Sequence, residues 1–282
     1  LGLCRFSFCG NGDWVAFRSA KTPEQVSAVQ AKIAKSLYAK ERMEKRFFLF
    51  ENFLLKSLSA QIDQNYILIV LTSQLMPEMY KERLIQLCQD NRNVELIFSD
   101  ASSVHDAIWP TISSYNTTFG HPLVNFRIDD DDCLSVDYIR ELRKFMLRLG
   151  DIVPVSYSRS NGLVAIRYGS ESARFFRATV PFNSMGTAIR VHGERTVFSF
   201  GHSALHRRFP AVVDNFGMGF ISIKVDGHDS LEIDENSLAF KNSHTPIEQQ
   251  QLEEALSKWF SFVRQGDQSL VSSLNTLIEN IP

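Results

Sequence analysis

The sequence predicts an α/β protein with a mixed central sheet flanked by helices and a β-richer C-terminal half. Three observations predict it. The run Tyr66-Ile-Leu-Ile-Val-Leu-Thr72 is apolar on both faces, as a central parallel strand must be when helices cover both sides of its sheet. Helix-like and strand-like segments alternate as far as residue 128, the pattern of βαβ units. Beyond residue 150 short strand-like runs follow one another across turn residues.

Taken in order, the first strand is expected over 3–8, and Gly10-Asn-Gly-Asp13 after it is turn chemistry. Thr22-Pro23-Glu24-Gln25 combines a hydroxyl N-cap, Pro at the first helical position and Gln at the third, which opens a helix. Phe47, Phe50, Leu54 and Leu58 recur at three- and four-residue spacing and predict a helix over 46–60 with a core-facing stripe. A strand over 66–72, a helix over about 77–90 and a strand over 94–98 follow. Next come a helical stretch near 102–114 interrupted by Pro110, and a strand over 123–128. Ser135 is expected to cap a helix that runs to Leu149 and closes at Gly150. Strands are expected at 152–158, 163–168, 173–180, 187–191 and 220–225, and helices at about 246–264 and 268–278.

Composition narrows the function. The chain has 282 residues, 44% hydrophobic and 22% charged, which is enough apolar material for a full core and excludes disorder as the main state. Lys and Arg total 30 against 32 Asp and Glu, so there is no chain-wide basic field and nucleic acid is not an expected partner. Cys4, Cys9, Cys88 and Cys133 form no C-x-x-C pair and are too few for a disulfide scaffold, which suits a reducing cytoplasm. The longest apolar run is strand-sized, far short of the ~20 residues that cross a bilayer, and the first residues do not read as a signal peptide. The first 60 residues carry ten Lys and Arg against five Asp and Glu. Lys32, Lys35, Lys40, Arg42, Lys45 and Arg46 read as a solvated helix face; the alternative is a patch for anionic acceptors or headgroups, with peripheral contact at the inner membrane face.

The sharpest signal is Asp129-Asp130-Asp131-Asp132, directly after the apolar strand Leu123-Val-Asn-Phe-Arg-Ile128. The carboxyl ends of sheet strands are where α/β proteins bind ligands. Adjacent carboxylates in a cleft repel and take up protons unless a cation neutralises them. Mg²⁺ or Mn²⁺ held by one or two carboxylates keeps coordination positions open for phosphate oxygens, which suits a nucleoside-diphosphate substrate. Strand alternation would send Asp129 and Asp131 one way, Asp130 and Asp132 the other, as far as the extended conformation persists. The competing interpretation is an acidic turn that approaches a helix N-terminus. An EF-hand fails because Leu134 and Arg140 stand where Gly and Glu are required, and a prenyl-synthase aspartate-rich motif fails at Cys133.

Helix 55–61 (Leu-Lys-Ser-Leu-Ser-Ala-Gln), the strand at 66–72 and Arg127-Ile-Asp-Asp-Asp-Asp132 together resemble the inverting GT-A glycosyltransferases and their Asp-x-Asp motif. The N-terminal Cys-Arg-Phe-Ser, the Arg-Phe-x-Leu-Phe-Glu block at 46–51 and Phe200-Gly-His-Ser203 are similar to the bacterial rhamnosyltransferases. The resemblance implies a GT-A-like domain with a nucleotide-sugar-binding half over 1–132, an acceptor-side half over 133–245 and C-terminal helices over 246–282. It implies a metal-dependent, inverting transfer from a nucleotide-sugar donor to a glycan or glycoconjugate acceptor. The metal would sit at Asp131 or Asp132 with His202 as a further ligand, and the donor would meet Asp129, Asp130, Arg127 and Arg5. Thr72-Ser73 departs from the acidic residues that many relatives carry there, so the nucleotide stays open.

Inversion needs a carboxylate to take the acceptor's proton, and Glu194 and Asp214, which flank the His202 block, are the candidates; spacing does not choose between them. His206, His228, Arg207 and Arg208 are weaker candidates, and Trp14 or Trp109 could stack on a sugar or base. Two other classes compete. A metal-dependent phosphoester hydrolase would want its ligands dispersed over several strands rather than concentrated in one run. A nonenzymatic sugar-nucleotide-binding module would bind without turnover.

Overall fold

The structure is a computed structural model that describes residues 1–10, 14, 16–17, 20–227 and 232–282. The turn expected at 10–13 falls largely outside the described residues, and His228 falls wholly outside them. Among the described residues twelve strands form two sheets: β1 (Gly2–Arg5), β2 (Leu68–Ser73), β3 (Val94–Ser99), β4 (Asn125–Asp129), β5 (Asp132–Leu134), β6 (Val155–Arg159), β7 (Asn161–Arg167), β8 (Arg174–Thr179), β9 (Ala188–Arg190), β10 (Ala211–Asp214), β11 (Phe220–Val225) and β12 (His244–Pro246). The larger sheet has the order β10-β6-β9-β4-β1-β2-β3, and the smaller β12-β8-β7-β11-β5. In the larger sheet the pairs β1 with β2, β1 with β4, β2 with β3 and β6 with β10 are parallel. β9 runs antiparallel to both of its neighbours, β4 and β6, which makes the sheet mixed.

Helices α1 (Pro23–Leu37), α2 (Lys40–Leu49), α3 (Lys56–Ser59), α4 (Glu78–Gln89), α5 (Val104–Phe119) and α6 (Tyr138–Arg148) belong to the first half. The short α7 (Leu205–Arg208) and α8 (Leu238–Ser243), then α9 (Gln249–Trp259) and α10 (Leu270–Glu279), follow. Alternation along β1 and β2 explains why both faces of the larger sheet are covered. Cys4, Leu68 and Val70 join Phe47, Leu84 and Leu142 in one core, while Leu3, Ile69 and Leu71 join Ile108 and Ile112 of α5 in another. The smaller sheet packs Leu163, Ile221 and Ile223 against Leu256 of α9 and Leu274 of α10.

The 46–60 stripe proves less simple than one amphipathic helix. Between α2 and α3 the chain is π-helical over Phe50–Leu55. Phe50 and Leu54 enter the core of the larger sheet, whereas Leu49 and Phe53 enter that of the smaller one. The segment is therefore wedged between two cores, and the wider turn lets apolar side chains on two sides be buried at once. α5 continues through Pro110 to Phe119, because Val104, Ile108 and Ile112 anchor the helix to the sheet on both sides of the proline. Ser135 does not cap α6: the N-cap is Asp137, and the Ser135 hydroxyl donates to its carboxylate at 2.8 Å. At the other end Gly150 adopts the positive φ of 54° that a helix-terminating glycine supplies. β5, β10 and β12 are three or four residues long and lie below what periodicity registers. Among the described residues no helix is long and apolar enough to cross a membrane.

Candidate active site

β1 and β4 end side by side, with Arg5 opposite Asp129 in register. The chain turns at Asp130 and Asp131 before β5 starts at Asp132. The extended conformation stops at Asp129, so the expected alternation does not persist, and all four carboxylates line one cleft of about 480 Å³. Arg5, Arg42, Arg46 and Lys224 line it as well, with Trp14 and Ser184. Acids and cations thus face one another across a small volume at the carboxyl ends of the parallel strands, where the sheet geometry favours ligand binding.

The four acids have different surroundings. Asp129 accepts from Arg127 Nη2 at 2.9 Å, and that guanidinium lies 5.0 Å from the centre of the Phe198 ring. Asp130, Asp131 and Asp132 retain 1%, 8% and 2% exposure. Arg46 donates to Asp130 Oδ1 and stands 3.8 Å from Asp131. Burial pushes the Asp130 carboxyl up to about 7; Arg46 opposes the rise, and Asp131 and Asp129 add to it. Burial, then the charge of Asp131, pushes Asp132 well above the carboxylate range, with Lys224 opposing. Among the described residues Asp130 Oδ2 and Asp132 Oδ1 are buried without a hydrogen-bond partner. Two such oxygens are hard donors held out of water, and a divalent ion would offset the cost of ionising them, so they fit one. Among the described residues no three His, Cys, Asp or Glu side chains converge as a ready-made cage.

His202 lies on a short 3₁₀ turn, His202–Ala204. Its Nδ1 is 2.6 Å from the Phe182 carbonyl oxygen, which can only accept, so Nδ1 carries the proton and Nε2 keeps its lone pair. Burial lowers its pKa, the Phe182 bond opposing, which favours the neutral imidazole that metals require. It senses the charges of Arg127 and Asp129 but does not line the cleft itself.

Residues 1–236 match the protein family described as "putative rhamnosyl transferase". The chain belongs to this rhamnosyl transferase family. The family's description is that of an enzyme that transfers a sugar, and the architecture of this chain is mixed α/β. Among solved structures, Staphylococcus aureus TarS 1–349 in complex with UDP-GlcNAc is 10% identical, with 83% of this chain and 68% of that chain covered at a TM-score of 0.40. The complex of the same TarS fragment with UDP is 9% identical, with coverages of 82% and 66% and a TM-score of 0.37. A further TarS structure is 11% identical, with 64% of this chain covered and a TM-score of 0.35; there the match spans 35% of the TarS chain. No curated protein matches the chain in sequence.

The fold separates the other candidates. Arg5 and Asp129 to Asp132 meet in the cleft, with Arg127 behind Asp129. Glu194 does not join them. β9 runs antiparallel to β4, with Ile189 beside Asn125, so the chain leaves β9 at the amino ends of the parallel strands, and Glu194 is exposed on the loop that follows. Asp214 ends β10 at the correct end of the sheet, but β6 and β9 lie between β10 and β4. Its buried carboxylate accepts from Tyr157 Oη at 3.0 Å and the Phe216 amide at 2.8 Å, with Arg159 Nε at 3.5 Å. That network ties β6 to β10 and does not face the cleft. His206, Arg207 and Arg208 are exposed on α7, and Trp109 stacks on His105 with ring centres 5.8 Å apart. Thr72 and Ser73 are buried at the end of β2, with the Ser73 hydroxyl accepting from the Leu75 amide.

Sequence reasoning missed Arg42, Arg46 and Lys224 as cleft residues. The basic early region divides: Lys32, Lys35 and Lys40 are exposed as a solvated face requires, whereas Arg42 and Arg46, four residues apart on α2, turn inward. The signal was present in the spacing. Arg46 lies one position before the buried Phe47, so its stem starts beside the core.

Proposed function

We propose that this glycosyltransferase moves a hexose, rhamnose by the family's description, from a nucleoside-diphosphate donor to a hydroxyl of a glycan or glycoconjugate, with inversion and with Mg²⁺ or Mn²⁺. The observation that carries this reading is the pair of buried, unpartnered carboxylate oxygens of Asp130 and Asp132 in a cleft at the carboxyl ends of β1 and β4. Asp130, Asp131 and Asp132 would hold the ion, and His202, whose Nε2 keeps its lone pair but which does not line the cleft, is a weaker candidate for a further ligand. The ion would supply positive charge where a departing diphosphate develops negative charge. Arg5, which ends β1 and lines the cleft, would meet a donor phosphate through its forked donors. Arg127 holds the Asp129 carboxylate, a positioning contact for whatever Asp129 binds. Trp14, with Phe8 and Leu37 in the same lining, offers an apolar wall against which a base or sugar ring can lie.

The exposed Lys32, Lys35 and Lys40 support a peripheral contact with an anionic membrane face, where a lipid-linked acceptor would be met. Cytoplasmic residence fits the four unpaired cysteine thiols, Cys4, Cys9, Cys88 and Cys133.

The test is isothermal titration of a panel of nucleoside diphosphates and nucleotide-sugars, with Mn²⁺ or Mg²⁺ and with chelator, on the native protein and on Asp131→Asn. The expected result is metal-dependent binding of one nucleotide class, lost in the variant. Absence of nucleotide binding under both conditions would overturn the donor assignment.

A further inference from the structure

The cleft contains a cation whose position conflicts with the ion proposed above. Arg46 contacts Asp130 and lies 3.8 Å from Asp131, and its side chain is only 14% exposed. A guanidinium and a divalent ion cannot both occupy the same face of these two carboxylates, because like charges at that separation repel strongly in a poorly solvated site. The neighbouring cations are differently held. Arg42 Nη1 donates to Ser7 Oγ at 3.0 Å and to the Leu37 carbonyl at 2.9 Å, which ties it to backbone and loop. Arg5 lies 5.5 Å from the centre of the Phe198 ring. Lys224 acts on Asp132 from β11.

We propose that Arg46 is a displaceable counter-ion, which bridges Asp130 and Asp131 until a divalent ion takes those carboxylates and then turns its guanidinium onto the diphosphate of the donor. This rests on the metal-dependent reading of the site. Arg46 is suited to both positions. Its backbone is fixed by α2, with Phe47 wholly buried beside it, while the long side chain reaches a cleft open to the donor. A guanidinium forms paired hydrogen bonds to carboxylate and phosphate with the same planar fork, so the exchange replaces one anionic partner by another. The consequence is coupling: metal arrival frees a phosphate-binding group that was occupied before, and the two ligands bind more tightly together than separately.

The experiment titrates MnCl₂ alone, then inorganic pyrophosphate at saturating Mn²⁺, onto the wild type, Arg46→Met and Arg46→Lys at pH 8, with circular dichroism to check folding. Removing the competitor should tighten Mn²⁺ binding about tenfold or more in Arg46→Met, and pyrophosphate binding should weaken by about tenfold. Arg46→Lys, which keeps the charge but loses the fork, should bind Mn²⁺ like the wild type and pyrophosphate less tightly. If Arg46→Met does not fold, Arg46→Gln, which keeps donors for Asp130 without the charge, carries the same expectation. Unchanged or weaker Mn²⁺ binding in the uncharged variant, with a wild type that binds Mn²⁺ and nucleotide, would overturn this inference and leave the functional reading standing. A wild type that binds nucleotide equally well with chelator would overturn metal dependence and this inference together.

Discussion

Replacing Asp130 by Asn should stabilise the protein at pH 8 and do so much less at pH 5. The Asp130 carboxyl moves from its ordinary 3.8 to about 7, because burial outweighs the attraction of Arg46. Between those two values the folded protein keeps a proton that the unfolded chain has released. The stability this proton contributes is complete below the unfolded value and is lost as the pH rises through the folded one. The gap is worth about 4 kcal/mol at pH 8, and roughly 2–3 kcal/mol of it develops between pH 5 and pH 8. Asn cannot ionise, so the variant escapes that loss, although Arg46 then keeps only Asp131 of the two acids as an anionic partner. Urea unfolding of both proteins at the two pH values, in chelator and at matched m-values, reads the double difference directly. A stability gap between variant and wild type that stays the same at pH 5 and pH 8, within about 0.5 kcal/mol, would refute the reasoning.

Two further variants test the assignment of roles around the site. Arg159 is 3% exposed and binds Asp137 at 2.6 Å and the Phe216 carbonyl at 2.7 Å. Arg159→Met should therefore destabilise the fold by about 3–5 kcal/mol, through the buried Asp137 and Asp214 left behind, and a loss below about 1 kcal/mol in thermal or urea melts would contradict it. Burial works against ionising Asp137, but its bonds from Arg159 win and hold its pKa below the ordinary value. This stability is present above the ordinary Asp value and falls away as the pH drops through the lowered one, and the variant should lose that acid-side dependence. Glu194→Gln should leave kcat/KM for the cognate donor unchanged, because the residue starts from the wrong end of the sheet; a fall of about tenfold or more would return it to the reaction.

Much of the fold is legible in the sequence because the signals are local. The apolar strand over 66–72 appears as Leu68–Ser73, the 220–225 strand appears over Phe220–Val225, and the capping box at Thr22 and Gln25 forms with its reciprocal bonds. Each depends on residues a few positions apart, where periodicity and capping act. The elements that were not legible take their conformation from distant partners. β5 exists because Asp132 to Leu134 pair with β11, almost ninety positions later in the chain. The π-helical stretch at 50–55 exists because its two sides face different cores.

The same division runs through the site. The sequence by itself determined that four carboxylates would stand at the end of an apolar strand, since strand and acidic run are contiguous. Only the tertiary structure decided which of them are buried, that they share one cleft, and which cations face them. The Arg46 to Asp130 contact joins residues 84 positions apart, and neither residue carries a local mark of the other. Flanking positions in the chain likewise grouped Glu194 and Asp214 around His202. The reversal of β9 then carries Glu194 to the far end of the sheet, and the buried Arg159 draws Asp214 into a different network. Local order is set by steric and hydrophobic periodicity, which one segment holds alone, whereas charge balance and desolvation depend on every group packed around a site, and those neighbours are assembled only when the chain has folded.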